Sequence, residues 1–198
     1  MLLEDPVGIR AVETDGAVYR VAMVEMRLTG VKVELPTNTP VVLLQEVGGE
    51  QRTLPIFVGM PEATSMLHVL HGQASPRPLT YDLFATVLDD VGARLERVAI
   101  TDLRDGTYYA ELHLRVGGPD KAASTTKVIS ARPSDAVNLA LRAGCPIVCD
   151  DDLLANEGVR YDPDEDAVQV AASGEPQAEA MVDELKEWLE HIRPEDFG

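Results

Sequence analysis

Two short runs in this sequence place an arginine and a carboxylate at the start of a helix, a combination that attracts anions. In Ser130-Ala131-Arg132-Pro133-Ser134-Asp135-Ala136, proline fixes φ and has no N–H to lose, so Pro133 suits the first helical position. Asp135 then falls in the first turn, where negative charge meets the positive end of the helix dipole. Arg132 and Ser134 are left beside N–H groups that point outward, a setting that draws phosphate or carboxylate. The run Arg77-Pro78-Leu79-Thr80-Tyr81-Asp82-Leu83 repeats the pattern: Arg-Pro, then an aspartate within a first turn. Both starts can face one cleft, or be two ordinary helix starts whose arginines pair with neighbouring carboxylates. His68 and His71 share a helix face but lack a third ligand at a metal-binding spacing, and read as surface or partly buried histidines.

The elements that must position these runs follow from periodicity. Leu28 to Leu35, Val41 to Val47 and Arg52 to Val58 read as three antiparallel strands, with Pro55 favouring an edge or a bulge in the third. Pro61 suits the first turn of a helix whose Ala63, Met66, Leu67 and Leu70 share a face. Thr80 is expected to cap the next helix, with Leu83, Phe84, Val87, Leu88 and Val91 as its core face and Gly92 as its end. Arg94 to Leu103 and Thr107 to Val116 form a hairpin around Asp105-Gly106, and Lys127 to Ser130 delivers the chain to Arg132. Ala136, Val137, Ala140 and Leu141 give the helix after Arg132 its apolar face, and Gly144 and Pro146 end it. The expected fold is therefore α/β of the α+β kind: a mostly antiparallel or mixed sheet packed with three main helices, plus a C-terminal amphipathic helix. Residues 1–25 read as an N-terminal extension, residues 26–158 as the domain, 159–175 as an acidic linker, and 176–198 as the C-terminal helix and tail. In that last segment Met181, Leu185, Trp188, Leu189 and Ile192 mark the apolar stripe.

Composition narrows the partners. The net charge is −17 over 198 residues, and residues 156–198 hold three basic against thirteen acidic side chains. Such a chain has no broad electrostatic footprint for duplex nucleic acid, so nucleic-acid chemistry calls for a divalent metal or a small local patch. Cys145 and Cys149 on one strand are about 13 Å apart, too far for a mutual disulfide, and read as buried thiols of a reducing compartment, the cytoplasm. No apolar run is long enough for a membrane span.

Four stretches occur together in order: Gly59-Met60-Pro61-Glu62-Ala63, Arg77 to Leu83, Asp102-Leu103-Arg104-Asp105-Gly106-Thr107-Tyr108-Tyr109-Ala110-Glu111-Leu112, and Ser130 to Ala136. Together they resemble the bifunctional nuclease domain family, bacterial and plant proteins with reported DNase and RNase activity. The ending Trp188 to Phe197 looks like actinobacterial members. The resemblance implies a compact, self-associating α/β domain, a homo-oligomer and by expectation a dimer, with nucleic acid as substrate and no membrane partner. One position departs from the family pattern, which usually reads Thr-His-Asp-Leu where this chain has Thr80-Tyr81-Asp82-Leu83. A phenol of pKa near 10 is a poor base at neutral pH, so either the histidine is not essential in the family or this member is weakened.

Under that resemblance the first reading is metal-assisted hydrolysis of phosphodiester bonds in DNA and RNA. Such a reaction needs an activated water and stabilisation of charge on the phosphoryl oxygens. The candidate catalytic carboxylates are Glu62, Asp82, Glu111 and Asp135, with Glu62, Asp82 and Asp135 as metal ligands and Arg77, Arg132 and Ser134 on phosphate. Hard oxygen donors suit Mg²⁺ or Mn²⁺ rather than zinc. The alternative is a non-enzymatic anion- or protein-binding regulatory module on the same fold. A third reading makes the arginines and aspartates a buried ion-pair network that joins two helix starts.

Overall fold

A computed structural model describes residues 10–14, 17–34, 37–117 and 124–160, with side chains from residue 21 onward. The chain divides into two units, Met1–Val168 and Gln169–Gly198. The second unit, with the whole of the expected C-terminal helix and tail, lies outside the described residues, as does most of the expected acidic linker.

The first unit is a mixed α+β fold. Its strands are β1 (Arg10–Thr14), β2 (Ala17–Val21), β3 (Met23–Glu34), β4 (Thr39–Glu46), β5 (Arg52–Phe57), β6 (Ala93–Arg104), β7 (Thr107–Val116), β8 (Thr125–Ala131), β9 (Ile147–Asp150) and β10 (Val159–Arg160). Its helices are α1 (Met60–Leu70), α2 (Thr80–Asp90), α3 (Pro133–Ala143) and the short α4 (Asp151–Glu157). Strands β1 and β2 pair with each other, Arg10 opposite Val21, inside the stretch expected to be an extension. Strand β3 begins at Met23, three residues before the expected domain start.

The other eight strands form one sheet in the order β10-β5-β4-β3-β9-β6-β7-β8, antiparallel throughout except where β6 runs parallel to β9. Strands β3, β4 and β5 are the expected antiparallel opening. Pro55 sits in β5 beyond the two-residue reach of β10, which pairs only with Arg52 and Thr53, so its missing N–H costs no ladder bond on that side. Asp105 and Gly106, at φ 50 and 73, make the tight turn of the β6–β7 hairpin.

Alternation decides which face is covered. Ala110, Leu112 and Leu114 of β7 and Val98 and Ile100 of β6 join Ala136, Val137, Leu139 and Ala140 of α3 in one core. Ala63 and Met66 of α1 extend it toward Val42, Leu44, Leu54 and Ile56. Burying each large side chain of this set contributes roughly 1.5–3 kcal/mol. On the opposite face Met23, Ala99 and Val148 form a small second cluster.

Helix α2 differs from expectation. None of its residues is buried, and Leu83, Phe84, Val87 and Val91, expected in the core, are 56, 47, 50 and 66% exposed. The stripe that faces inward is the adjacent pair Tyr81 and Asp82, then Ala85 and Leu88 at successive turns, with Tyr81 and Leu88 against the core. Among the described residues no helix is long and apolar enough to cross a membrane.

Candidate functional site

Three helix starts supply the site. Helix α3 starts where β8 ends: Ala131 is the last residue paired with β7, opposite Ala110, and Arg132 is the N-cap with extended backbone. Pro133 and Asp135 take the expected first-turn places, and Gly144 closes the helix at φ 62. Helix α1 starts at Gly59, with Pro61 and Glu62 in its first turn. The Glu62 carboxylate folds back over that start, so a Cβ on Gly59 would stand only 2.3 Å from Glu62 Oε2. The N-cap of α2 is Leu79 rather than Thr80, and Asp82 Oδ2 accepts the Leu79 N–H at 2.9 Å.

Helices α1 and α2 flank α3, so these starts bring four side chains into contact. Arg132 donates from Nε to Asp135 Oδ2 at 2.8 Å, and from Nη2 to Asp135 Oδ1 at 2.9 Å and Glu62 Oε1 at 3.0 Å. The Tyr81 hydroxyl donates to Asp135 Oδ1 at 2.7 Å. The Arg132 side chain is 66% exposed, against 29% for Asp135 and 16% for Glu62. Burial pushes the Asp135 carboxyl up, but the hydrogen bonds from Arg132 and Tyr81 outweigh it and hold the group below its ordinary range. Burial and the neighbouring Asp135 carboxylate both push the Tyr81 hydroxyl well above its usual value, so it stays a donor. The arrangement is two carboxylates bridged by one guanidinium that water can reach, and that guanidinium can turn to a phosphate.

Behind it lies a second network that sequence reasoning missed. Arg142, its side chain 8% exposed, donates to Asp82 Oδ1 at 2.5 Å, to Ser65 Oγ at 2.9 Å, and to the carbonyl and Oδ1 of Asn138 at 3.1 Å each. Asn138, fully buried, donates from Nδ2 to the carbonyls of Glu62 and Ser134, both at 3.0 Å. The hydrogen bond from Arg142, then that from the Leu79 N–H, holds the Asp82 carboxyl below its ordinary range. Arg142 also lies over the Tyr81 ring, 5.4 Å from its centroid, so Tyr81 touches both networks. One signal was available in the sequence: Ser134, Asn138 and Arg142 recur every fourth residue along one face of α3.

The structure brings together Glu62, Asp135 and Arg132 and places the other expected residues elsewhere. Asp82 is engaged by Arg142 and the α2 start, with no hydrogen bond or ion pair to Glu62, Asp135 or Arg132. Ser134 is buried. Arg77 is exposed in the loop before α2 and has no ion pair among the described residues. Glu111 lies on β7 opposite Ser130, on the sheet face turned away from Ala110 and Leu112, with Oε2 3.3 Å from His113 Nε2 but not aligned for a hydrogen bond. Among the described residues no group of three or more His, Cys, Asp and Glu is placed to hold a metal ion. A cavity of about 580 Å³, lined in part by Arg94, Arg115, Gly144 and Cys145, lies at the other end of α3, about 16 Å from Arg132 along the helix. At the Arg132 cluster it is the guanidinium that stands open to solvent, with the two carboxylates largely covered.

Comparison with known proteins supplies the family. An uncharacterized protein of Mycobacterium tuberculosis is 38% identical over 175 residues, covering 88% of this chain and 98% of its own length. Bifunctional nuclease 2 of Arabidopsis thaliana is 32% identical over 130 residues, 64% of this chain and 38% of that protein. Bifunctional nuclease 1 of Oryza sativa subsp. indica is 26% identical over 147 residues, 74% of this chain and 43% of that protein. The chain therefore spans less than half the length of these plant relatives. The bifunctional nuclease domain model matches residues 42–162, a span that holds every residue of both networks. The chain belongs to the bifunctional nuclease domain family.

Proposed function

We propose that this protein hydrolyses phosphodiester bonds in DNA and RNA at the Arg132 cluster. The observation that carries the reading is the exposed Arg132 guanidinium bridging Asp135 and Glu62 where the starts of α1 and α3 meet. Arg132 reaches a phosphate without enclosing it, which suits a strand that passes over the surface. Asp135 stays ionised, which suits it to hold a cation or to orient a water by accepting its hydrogen bond. Glu62 and Asp135 converge on a place that already holds a positive charge, and they are the residues that would hold Mg²⁺ or Mn²⁺. Such an ion supplies Lewis acidity at the phosphoryl oxygens. Asp82 supports the site from behind through Arg142 and Tyr81.

The test is cleavage of labelled single-stranded DNA and RNA with Mg²⁺, with Mn²⁺ and with chelator, beside folded Arg132→Ala and Asp135→Asn variants. Metal-dependent cleavage lost in both variants is the expected result. A second reading, a non-enzymatic anion- or protein-binding module, is favoured by the pairing of both carboxylates with arginine, and predicts phosphate binding at Arg132 without turnover.

Self-association is part of the proposal. Leu83, Phe84 and Val87 of α2 and Val91 at its C-cap form an exposed apolar stripe that none of the described residues covers. Strand β8 ends the sheet with six of its seven residues exposed, one lysine and no proline, and antiparallel pairing of two such edges closes under a twofold axis. A dimer in solution that Phe84→Glu or a proline at Val128 dissociates is the expected light-scattering result. The two free cysteines fit a reducing compartment, and we place the protein in the cytoplasm.

A further inference from the structure

We propose that Tyr81 is a positioning residue: its hydroxyl keeps Asp135 aligned when Arg132 leaves that carboxylate for a phosphate. The inference rests on the hydrolytic reading for its consequence and on geometry for its substance. Asp135 has two side-chain partners of opposite character. Arg132 is 66% exposed and is the group a phosphate would draw away. Tyr81 is half-buried against the core, with its hydroxyl 2.7 Å from Asp135 Oδ1.

What holds Tyr81 is firmer than what holds Arg132. The guanidinium over its ring belongs to Arg142, whose side chain is 8% exposed and fixed by Asp82, Ser65 and Asn138. Arg142 is in turn on α3, two turns along from Asp135, so the support and the supported carboxylate share one rigid element. When Arg132 turns outward, Asp135 Oδ1 keeps one donor and Oδ2 becomes free to face the substrate. Without the Tyr81 hydroxyl both oxygens would lose their fixed donors together, and the carboxylate would be free to rotate. A phenol is suited to this task because it donates without carrying charge, so it does not compete with phosphate for Arg132.

The test has one readout independent of turnover. With tyrosine labelled with carbon-13 at Cζ, the Tyr81 resonance reports the state of its hydroxyl bond. It should shift in Asp135→Asn and keep its position in Arg132→Ala. A resonance that moves equally in Arg132→Ala, or that ignores Asp135→Asn, overturns the proposal. In kinetics, Tyr81→Phe should lower kcat about tenfold with KM unchanged in a protein that remains folded, the loss of one charge-assisted hydrogen bond. An unchanged kcat in a folded Tyr81→Phe variant also overturns it. Absence of any cleavage by the unaltered protein removes the hydrolytic reading instead, and the paired resonance result then decides the role of Tyr81 by itself.

Discussion

Helix α3 carries two arginines at its two ends, and replacing each in turn separates the part of the network that folds the protein from the part proposed to meet substrate. Arg142→Ala removes a guanidinium whose side chain is 8% exposed and which makes hydrogen bonds to Ser65, Asn138 and Asp82. The bonds to Ser65 Oγ and to Asn138 Oδ1 are worth roughly 1 kcal/mol each, because those acceptors are left inside without a donor, whereas the Asn138 carbonyl keeps its helical N–H. The ion pair adds only about 1 kcal/mol, since Asp82 is 39% exposed and its orphaned carboxylate can rehydrate. Loss of packing by the buried stem brings the total to about 4 kcal/mol. Arg132→Ala removes a side chain that is two-thirds exposed and leaves Asp135 its bond from Tyr81, so its cost is about 1 kcal/mol or less. Urea unfolding followed by circular dichroism measures both, with the midpoint and slope fitted separately. Arg142→Met, which keeps the stem, should recover the packing share alone. A loss below about 1.5 kcal/mol for Arg142→Ala, or a loss for Arg132→Ala that equals it, would refute the division of the two networks.

Three further outcomes follow from single features. Gly59→Ala places a methyl where Glu62 Oε2 now lies, and because Gly59 has φ −73 the backbone accepts alanine; stability should change by less than about 1 kcal/mol while cleavage falls, and an unchanged rate would show that the Glu62 position is immaterial. Glu46, Asp82 and Asp135 are all held below the ordinary carboxylate range, Glu46 chiefly by the Arg52 side chain, so their contribution to stability is present above about pH 4 and is lost as pH falls through their folded values. Urea midpoints taken between neutral and strongly acid pH should show that decline, and Glu46→Gln should flatten it. Burial pushes the Cys145 thiol up to about 11 and the Cys149 thiol up to about 12; neither should react promptly with a disulfide reagent at about pH 8 in the folded protein, while both react in denaturant.

Local chemistry made much of the frame readable before any coordinates. Pro133, Asp135 and Gly144 bound a helix whose observed span is Pro133–Ala143, because a fixed φ, a first-turn carboxylate and a left-handed cap each act within one turn. The same holds for Asp105-Gly106, where both residues take the positive φ that a tight hairpin requires. The face of α2 was not readable in this way. Leu83, Phe84, Val87 and Val91 form a better apolar stripe than Tyr81, Asp82, Ala85 and Leu88, yet the second stripe faces α3. A hydrophobic pattern states that a face will be covered, and only tertiary placement states by what; on α2 the packing of Tyr81 under Arg142 and the pairing of Asp82 set the rotation of the helix.

The candidate site shows the same limit at the scale of single residues. Residue type and position in a first turn were sufficient to select Glu62, Asp135 and Arg132, which do meet. They were insufficient to separate Asp82 from Asp135, since both are first-turn aspartates that follow an Arg-Pro pair, Asp135 two residues after Pro133 and Asp82 four after Pro78. What separates them is the exposure of the arginine each one finds. Asp135 meets an arginine that is 66% exposed, and Asp82 meets one that is 8% exposed. A guanidinium in water gives up a carboxylate readily when a phosphate arrives, whereas one enclosed by Ser65, Asn138 and the Tyr81 ring would leave an uncompensated charge behind. The first pair is therefore able to exchange partners during a reaction and the second is a fixture against which the first is aligned, with Tyr81 as the side chain that touches both.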